Sequence, residues 1–217
     1  QSERGDVHRA AAERLRAAGA VYPAYETDEE LEAQRAAARA DKRAPVVRGR
    51  RDLPPEEIAA LEAEGRRPVW RFAVDVPGET VIDDYVRGTV RFDHAQVEDF
   101  VVARSDGTPT YNLAAAVDDL EMGITHVVRG EDHISNTPKQ ILLYRALGAQ
   151  VPQFAHVPMI HGTDGKKLSK RHGATAVGDY QHQGLLPQAM LNFLALLGWS
   201  PGDDTEVMTL SQLVDKF

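Results

Sequence analysis

From Thr110 onward the chain alternates helix and strand, and this order constrains the fold more than any other feature of the sequence. Thr110–Glu121 has the spacing of a helix, Thr125–Arg129 that of a strand, Thr137–Leu147 that of a second helix and Phe154–Ile160 that of a second strand. Two strands joined through a helix cannot close as a hairpin. The chain must cross over, which lays them parallel in one sheet with helices against it. Ligands of such sheets sit beyond the carboxyl ends of the strands. The polar run Arg129-Gly130-Glu131-Asp132-His133 follows the first strand, and a basic loop follows the second. Both clusters therefore fall at one edge, which points to one site.

The basic loop reads Gly162-Thr163-Asp164-Gly165-Lys166-Lys167-Leu168-Ser169-Lys170-Arg171-His172-Gly173. Four cations lie within six residues, flanked by glycines. Glycine lets a backbone bend and approach a ligand closely. Lysine ammonium groups are mobile point charges suited to phosphate oxygens. The loop is thus suited to grip a polyphosphate, whereas a charge run without such context is a solvated surface.

Composition narrows the classes. With 217 residues, 42% of them hydrophobic, the chain can build one large or two modest cores. A net charge of -8 argues against a uniformly basic nucleic-acid module, although a local basic patch is enough to bind RNA. There is no cysteine, hence no disulfide and no thiolate zinc site, and no structural zinc is expected. No signal peptide is visible and no run approaches the roughly 18 apolar residues of a membrane span, so a cytoplasmic protein without a membrane partner is expected.

The first half mixes helices and strands. Residues 6–18 carry a helical stripe that Gly19 stops, and Val21–Tyr25 is extended. Thr27 and Glu30 have capping-box spacing before a polar helix that runs to about Ala40. Residues 41–52 read as a loop. Pro54-Pro55 opens a third helix ended by Gly65. Strands are expected at Val69–Val74, Thr89–Phe92 and Phe100–Ala103, with turns at Pro77-Gly78 and Asp106-Gly107. Residues 175–217 read as helices.

Four stretches resemble class I aminoacyl-tRNA synthetases, and the bacterial glutamyl-tRNA synthetases in particular. Lys167-Leu168-Ser169-Lys170-Arg171 is similar to their second ATP motif, KMSKS. Gln1–Arg4 resembles the segment after the first half of their nucleotide fold, and Ser105–Ala114 their amino-acid pocket segment. The most specific stretch is His126–Pro138. The resemblance covers essentially the whole chain. It implies an α/β fold: the second half of a class I synthetase Rossmann-like nucleotide-binding fold, with an inserted α+β acceptor-binding domain and a helical stem-contact region. Residues 1–22 would end the first half of the nucleotide fold and 23–103 would form the insert. Residues 104–164 would be the second half, and 165–217 would carry the ATP loop and the stem-contact helices.

The same resemblance implies the roles. Lys170 and Lys167 would be catalytic, and would bind ATP together with Ser169, Arg171 and Ile160. Tyr111 and Arg129 would bind glutamate. Asp132 and His133 complete the set, His133 facing adenosine or substrate on the resemblance and structural on the residues alone. Ala115 stands where some members have asparagine and offers no polar group. Arg129 also admits a plainer reading, an ion pair with Glu131 or Asp132. His156 and His161 lack a carboxylate partner nearby in sequence and read as structural. Arg48, Arg50, Arg51, Arg66 and Arg67 are candidate phosphate contacts, or plain solvated charge. The implied activity is ATP- and Mg2+-dependent ligation of L-glutamate to tRNA(Glu) through a glutamyl-adenylate. The rivals are the ligase that glutamylates a modified tRNA base and a non-catalytic acceptor-binding module. The first residue is glutamine, and the family's HIGH motif and anticodon-binding region are expected outside residues 1–217. The chain thus reads as an internal piece, inactive by itself.

Overall fold

The helices begin where the sequence places their caps. In the computed structural model, which describes residues 2–42, 44–161, 164–165 and 177–217, helix α1 spans Gly5–Ala17 after a short 3-10 turn at Ser2–Arg4. Strand β1 is Val21–Ala24. Helix α2, Asp28–Ala40, opens on the expected capping box, with the Thr27 side chain accepting from the Glu30 backbone N–H and the Glu30 carboxylate from that of Thr27. Helix α3, Pro55–Ala63, starts on proline, whose missing N–H is one a helix start leaves unpaired anyway. Gly65 follows at φ +85°, a left-handed conformation that glycine adopts without strain. Strands β2 (Val69–Phe72), β3 (Glu79–Asp84), β4 (Gly88–Asp93) and β5 (Phe100–Ala103) come next. The alternating part then runs as α4 (Tyr111–Glu121), β6 (His126–Gly130), α5 (Thr137–Ala146) and β7 (Gln153–Val157).

These strands form two sheets. One is antiparallel in the order β1-β2-β5, with Val21 opposite Phe72 and Phe72 opposite Phe100. The other has the order β4-β3-β7-β6. There β3 pairs antiparallel with β4 and parallel with β7, where Asp84 stands opposite Phe154. The sheet is therefore mixed, because a hairpin is added to the crossover strands that the sequence led us to expect. Strand β3 was not anticipated. Its buried face is Thr80, Ile82 and Asp84, so two of its three inward positions are polar. That hides the apolar alternation by which strands are recognised. The Thr80 hydroxyl is satisfied inside, 2.9 Å from His94 Nε2.

The chain divides into two compact units, one of residues 1–129 with 133–156 and one of 130–132 with 157–217. The core of the first is built by Leu15 of α1, Phe72 of β2, Val102 of β5, Leu113 and Val117 of α4, Ile141, Leu143 and Tyr144 of α5, and Phe154 of β7. Burying each such side chain contributes about 1.5–3 kcal/mol, and α4 and α5 thereby fix the ends of β6 and β7. The second unit holds α6 (Val177–His182), α7 (Pro187–Ala195) and α8 (Leu210–Lys216). Asn192 of α7 ties down the segment before α8, donating to the Glu206 carbonyl at 2.7 Å and accepting from the Met208 N–H at 2.8 Å. Among the described residues no helix is long and apolar enough to cross a membrane.

Candidate functional site

Arg129 lies near the end of β6, and its side chain is held from behind. Its Nε donates to His156 Nε2 at 3.2 Å, and its Nη2 donates to Thr137 Oγ1 at 2.7 Å. One face of the guanidinium lies over the Phe154 ring, 5.7 Å from the centroid. The supports come from three elements: Thr137 is the first residue of α5, His156 lies in β7, and behind His156 stands Asp84, the last residue of β3. His156 Nδ1 is 2.6 Å from Asp84 Oδ2. Thr137, His156 and Asp84 are all buried.

Donor chemistry fixes the protons. A guanidinium only donates, so His156 Nε2 must accept, and Nδ1 carries the hydrogen that points to Asp84. An imidazolium would set N–H against N–H at Arg129, so the ring is neutral. Asp84 must then accept, and its surroundings ensure that it is ionised. Burial alone would raise its carboxyl. The hydrogen bonds from the His156 ring and from the backbone N–H groups of Arg87, His156 and Val86 outweigh that effect and bring it down to about 2.

Tyr111 opens α4 from a braced start. Thr110 donates its backbone N–H to the Val102 carbonyl at 2.8 Å and its hydroxyl to the Val101 carbonyl at 2.7 Å. The preceding turn closes through Gly107 at φ +82° and through Asp106, which accepts twice from Thr108. The Tyr111 side chain is 48% exposed, and its hydroxyl lies 3.4 Å from His133 Nδ1 with the two rings 5.6 Å apart. Arg129, Tyr111 and His133 thus belong to the first unit. In the second unit, Glu131 accepts from the Met159 backbone N–H at 3.3 Å. A Cβ at Gly130 would stand 2.6 Å from Asp132 Oδ1, so a side chain there would require the Asp132 carboxylate to move. Ile160 is exposed. Lys167, Ser169, Lys170 and Arg171 lie outside the described residues.

Two expectations change. His156 was expected to be structural for want of a carboxylate, yet Asp84 supplies one from 72 residues away. Asp84 itself gave no signal. It ends a polar strand and accepts from the N–H groups of Val86 and Arg87, so in sequence it reads as a turn residue before Gly88. The arginines of the first half are not simply solvated either. Arg48 and Arg51 both meet the buried Asp99 carboxylate, at 2.9 and 2.8 Å. Tyr22 donates to Asp99 at 2.8 Å and the Val74 N–H at 3.0 Å. Burial would raise the Asp99 carboxyl, and these donors together lower it. Arg50 pairs with Glu57, and Arg66 with Glu30 and Glu64.

Residues 1–217 match the family described as tRNA synthetases class I (E and Q), catalytic domain. The glutamate–tRNA ligase of Heliobacterium modesticaldum is 51% identical over 218 residues, covering 100% of this chain and 44% of that protein. The corresponding protein of Carboxydothermus hydrogenoformans is 49% identical, covering 100% and 45%. Among solved structures, the glutamate tRNA ligase of Elizabethkingia meningosepticum in complex with its amino acid superposes with a TM-score of 0.82. It is 33% identical, and the match covers 100% of this chain and 48% of that one. The chain thus spans about half the length of the curated relatives it matches. Arg129 on its buried support, the braced Tyr111 and a match along every residue lead to one conclusion: this chain belongs to the catalytic-domain family of the class I tRNA synthetases for glutamate and glutamine.

Proposed function

We propose that this chain is part of a ligase that joins L-glutamate to tRNA(Glu) at the expense of ATP. The observation that carries the reading is Arg129, a fork-shaped cation held by buried partners near the end of β6, in a chain whose relatives at about half identity are glutamate–tRNA ligases. In the first step a glutamate carboxylate oxygen attacks the α-phosphorus of ATP, the bond to the β-phosphate breaks, and glutamyl-adenylate and pyrophosphate form. A hydroxyl of the terminal adenosine of the tRNA then attacks the mixed anhydride and AMP leaves. Neither step needs a protein nucleophile, so catalysis is positioning plus electrostatics.

On this reading Arg129 holds a substrate carboxylate with paired N–H groups, and Tyr111 lines the same pocket. His133 borders it, Asp132 is a further candidate for the amino-acid site, and Ile160 is one for ATP. Lys167 and Lys170 serve as catalytic cations and bind the ATP phosphates with Ser169 and Arg171, and magnesium enters as part of the ATP complex. Residues 23–103 touch the tRNA acceptor end, and 165–217 add the stem-contact helices. The working site is cytoplasmic.

The test is pyrophosphate exchange into ATP by the full-length protein that carries this chain, with L-glutamate and tRNA present. Arg129→Ala is expected to raise the KM for glutamate by roughly 10–100-fold, the cost of a lost charge-assisted pair, about 1.5–3 kcal/mol. A glutamate KM equal to that of the unaltered enzyme would overturn the assignment.

A further inference from the structure

Three of the features that hold Arg129 have no role in the reading above. Asp84 comes from a hairpin strand, far in sequence from the polar loop, and its carboxylate is spent on a histidine side chain and three backbone N–H groups. His156 is fully buried, yet its acceptor nitrogen Nε2 meets, beside the Thr137 hydroxyl at 3.0 Å, an arginine that is only partly buried. Thr137 takes the second inner N–H of that arginine at the first residue of α5. A buried histidine needs no arginine to be satisfied, and a partly exposed arginine needs no buried carboxylate two groups behind it. The arrangement makes sense as a device that sets the angle of the guanidinium plane.

The geometry points to Asp84, His156 and Thr137 as positioning residues that fix the orientation of Arg129 for its carboxylate ligand. This inference rests on the substrate role proposed for Arg129. Asp84 locks the ring with its hydrogen on Nδ1, and that leaves Nε2 as the acceptor that Arg129 and the Thr137 hydroxyl both reach. Of the five guanidinium N–H groups, His156 and Thr137 take two on the inner side. Two of the remaining three, one on Nη1 and one on Nη2, form the end edge that a carboxylate meets in plane. Orientation matters at this scale, because a misplacement of about 1 Å can cost about 100-fold.

The mechanism makes a specific demand on Asp84→Asn. The change is isosteric, but an asparagine that keeps its oxygen on the backbone N–H groups turns its NH2 toward His156 Nδ1. The ring must then carry its hydrogen on Nε2, where it opposes the Nε–H of Arg129. His156→Gln can leave an oxygen facing Arg129, whereas His156→Leu cannot. The experiment uses the full-length protein carrying this chain, assayed by pyrophosphate exchange with tRNA, with a thermal melt of each variant as a check of folding.

Asp84→Asn is expected to raise the glutamate KM about 10-fold, a supporting-partner effect, with kcat and the KM for ATP within about twofold. The same change made in an Arg129→Lys background is expected to move the glutamate KM by less than about twofold, because the fork it sets is gone. His156→Gln is expected to retain a lower KM than His156→Leu. In the unaltered protein, nitrogen-15 shifts of the His156 ring should show hydrogen on Nδ1. Hydrogen on Nε2, or equal effects of Asp84→Asn in both backgrounds, would overturn the inference while leaving the substrate role of Arg129 standing. A glutamate KM unmoved by Arg129→Lys itself would instead remove that role, and this inference with it.

Discussion

The first unit contains two buried carboxylates tied to arginines, and they are used differently. The Asp99 and Asp84 side chains are each 1% exposed or less. Asp99 meets two guanidinium groups directly, adds the Tyr22 hydroxyl and the Val74 N–H, and is saturated. Its charge is compensated on the spot, which joins the loop before α3 to the end of β2 and the start of β5. The hydrogen bonds described for Asp84 come from the His156 ring and from three backbone N–H groups. A neutral imidazole stands between it and Arg129, passing on direction while the two opposite charges stay apart. Attraction falls with distance, so the cation beyond the imidazole keeps more of its capacity for an anionic ligand. A direct pair cements a fold, and a spaced pair aims a side chain.

The largest break of this comparison is Asp99→Ala. It leaves Arg48 and Arg51 facing the orphaned Tyr22 hydroxyl and Val74 N–H. Loss of a buried partner costs about 3–5 kcal/mol, and the partial exposure of both arginines puts the expectation near the lower end, roughly 3 kcal/mol. Urea unfolding measures it, and the glutamate KM of the folded protein should not change. A stability loss under about 1 kcal/mol would mean that Asp99 cements nothing.

A smaller effect sharpens the picture of saturation. Arg48→Met and Arg51→Met should each cost about 1–2 kcal/mol, since each leaves the other guanidinium in place. The double variant should cost more than the two together, because it strips the carboxylate of both. Simple additivity in the urea midpoints would show that the two arginines act independently.

A third effect is on acid stability. The Asp84 carboxyl sits at about 2 in the fold against an ordinary value of 3.8. A folded value below the unfolded one means that the native state binds fewer protons, so Asp84 stabilises the protein fully above about pH 4. That stability is lost as pH falls from about 4 through about 2. Asp84→Asn should flatten this part of a stability-against-pH curve. Asp203 in the second unit is also held at about 2, first of all by Lys216, but it is half exposed and solvent screening leaves it little weight. An unaltered acid limb in Asp84→Asn would show that the carboxyl is not depressed.

Much of the fold was legible because its signals are local. The Thr27 box, the proline at the start of α3 and the helix–strand spacing after Gly107 each act within a few residues, and the corresponding elements lie where expected. Strand β3 was hidden because its inward positions are threonine, isoleucine and aspartate rather than three apolar residues. The site divides the same way. Arg129 follows an apolar strand, which marks it as a candidate, and Tyr111 was singled out by the resemblance of Ser105–Ala114. Asp84, Thr137 and the Arg48–Asp99 pairing carry no such mark, because what defines them is a partner brought in from another strand. Sequence shows a residue's chemistry but not which distant group will meet it. The basic loop, the plainest motif of all, lies among residues whose geometry is not described.

The separation of these partners along the chain sets an order of events during synthesis. Domains form from the amino end as the chain emerges. A ribosome that has completed β6 has already delivered both Asp84 and Arg129, but neither has its intermediary. Thr137 arrives at the start of the next helix and His156 only in the strand after it. Closing the loop between Asp84 and His156 then costs entropy that grows only slowly with its length. The arginine is thus among the first parts of the site to be made and among the last to be aimed, and a nascent chain halted anywhere before β7 would carry it without a bearing.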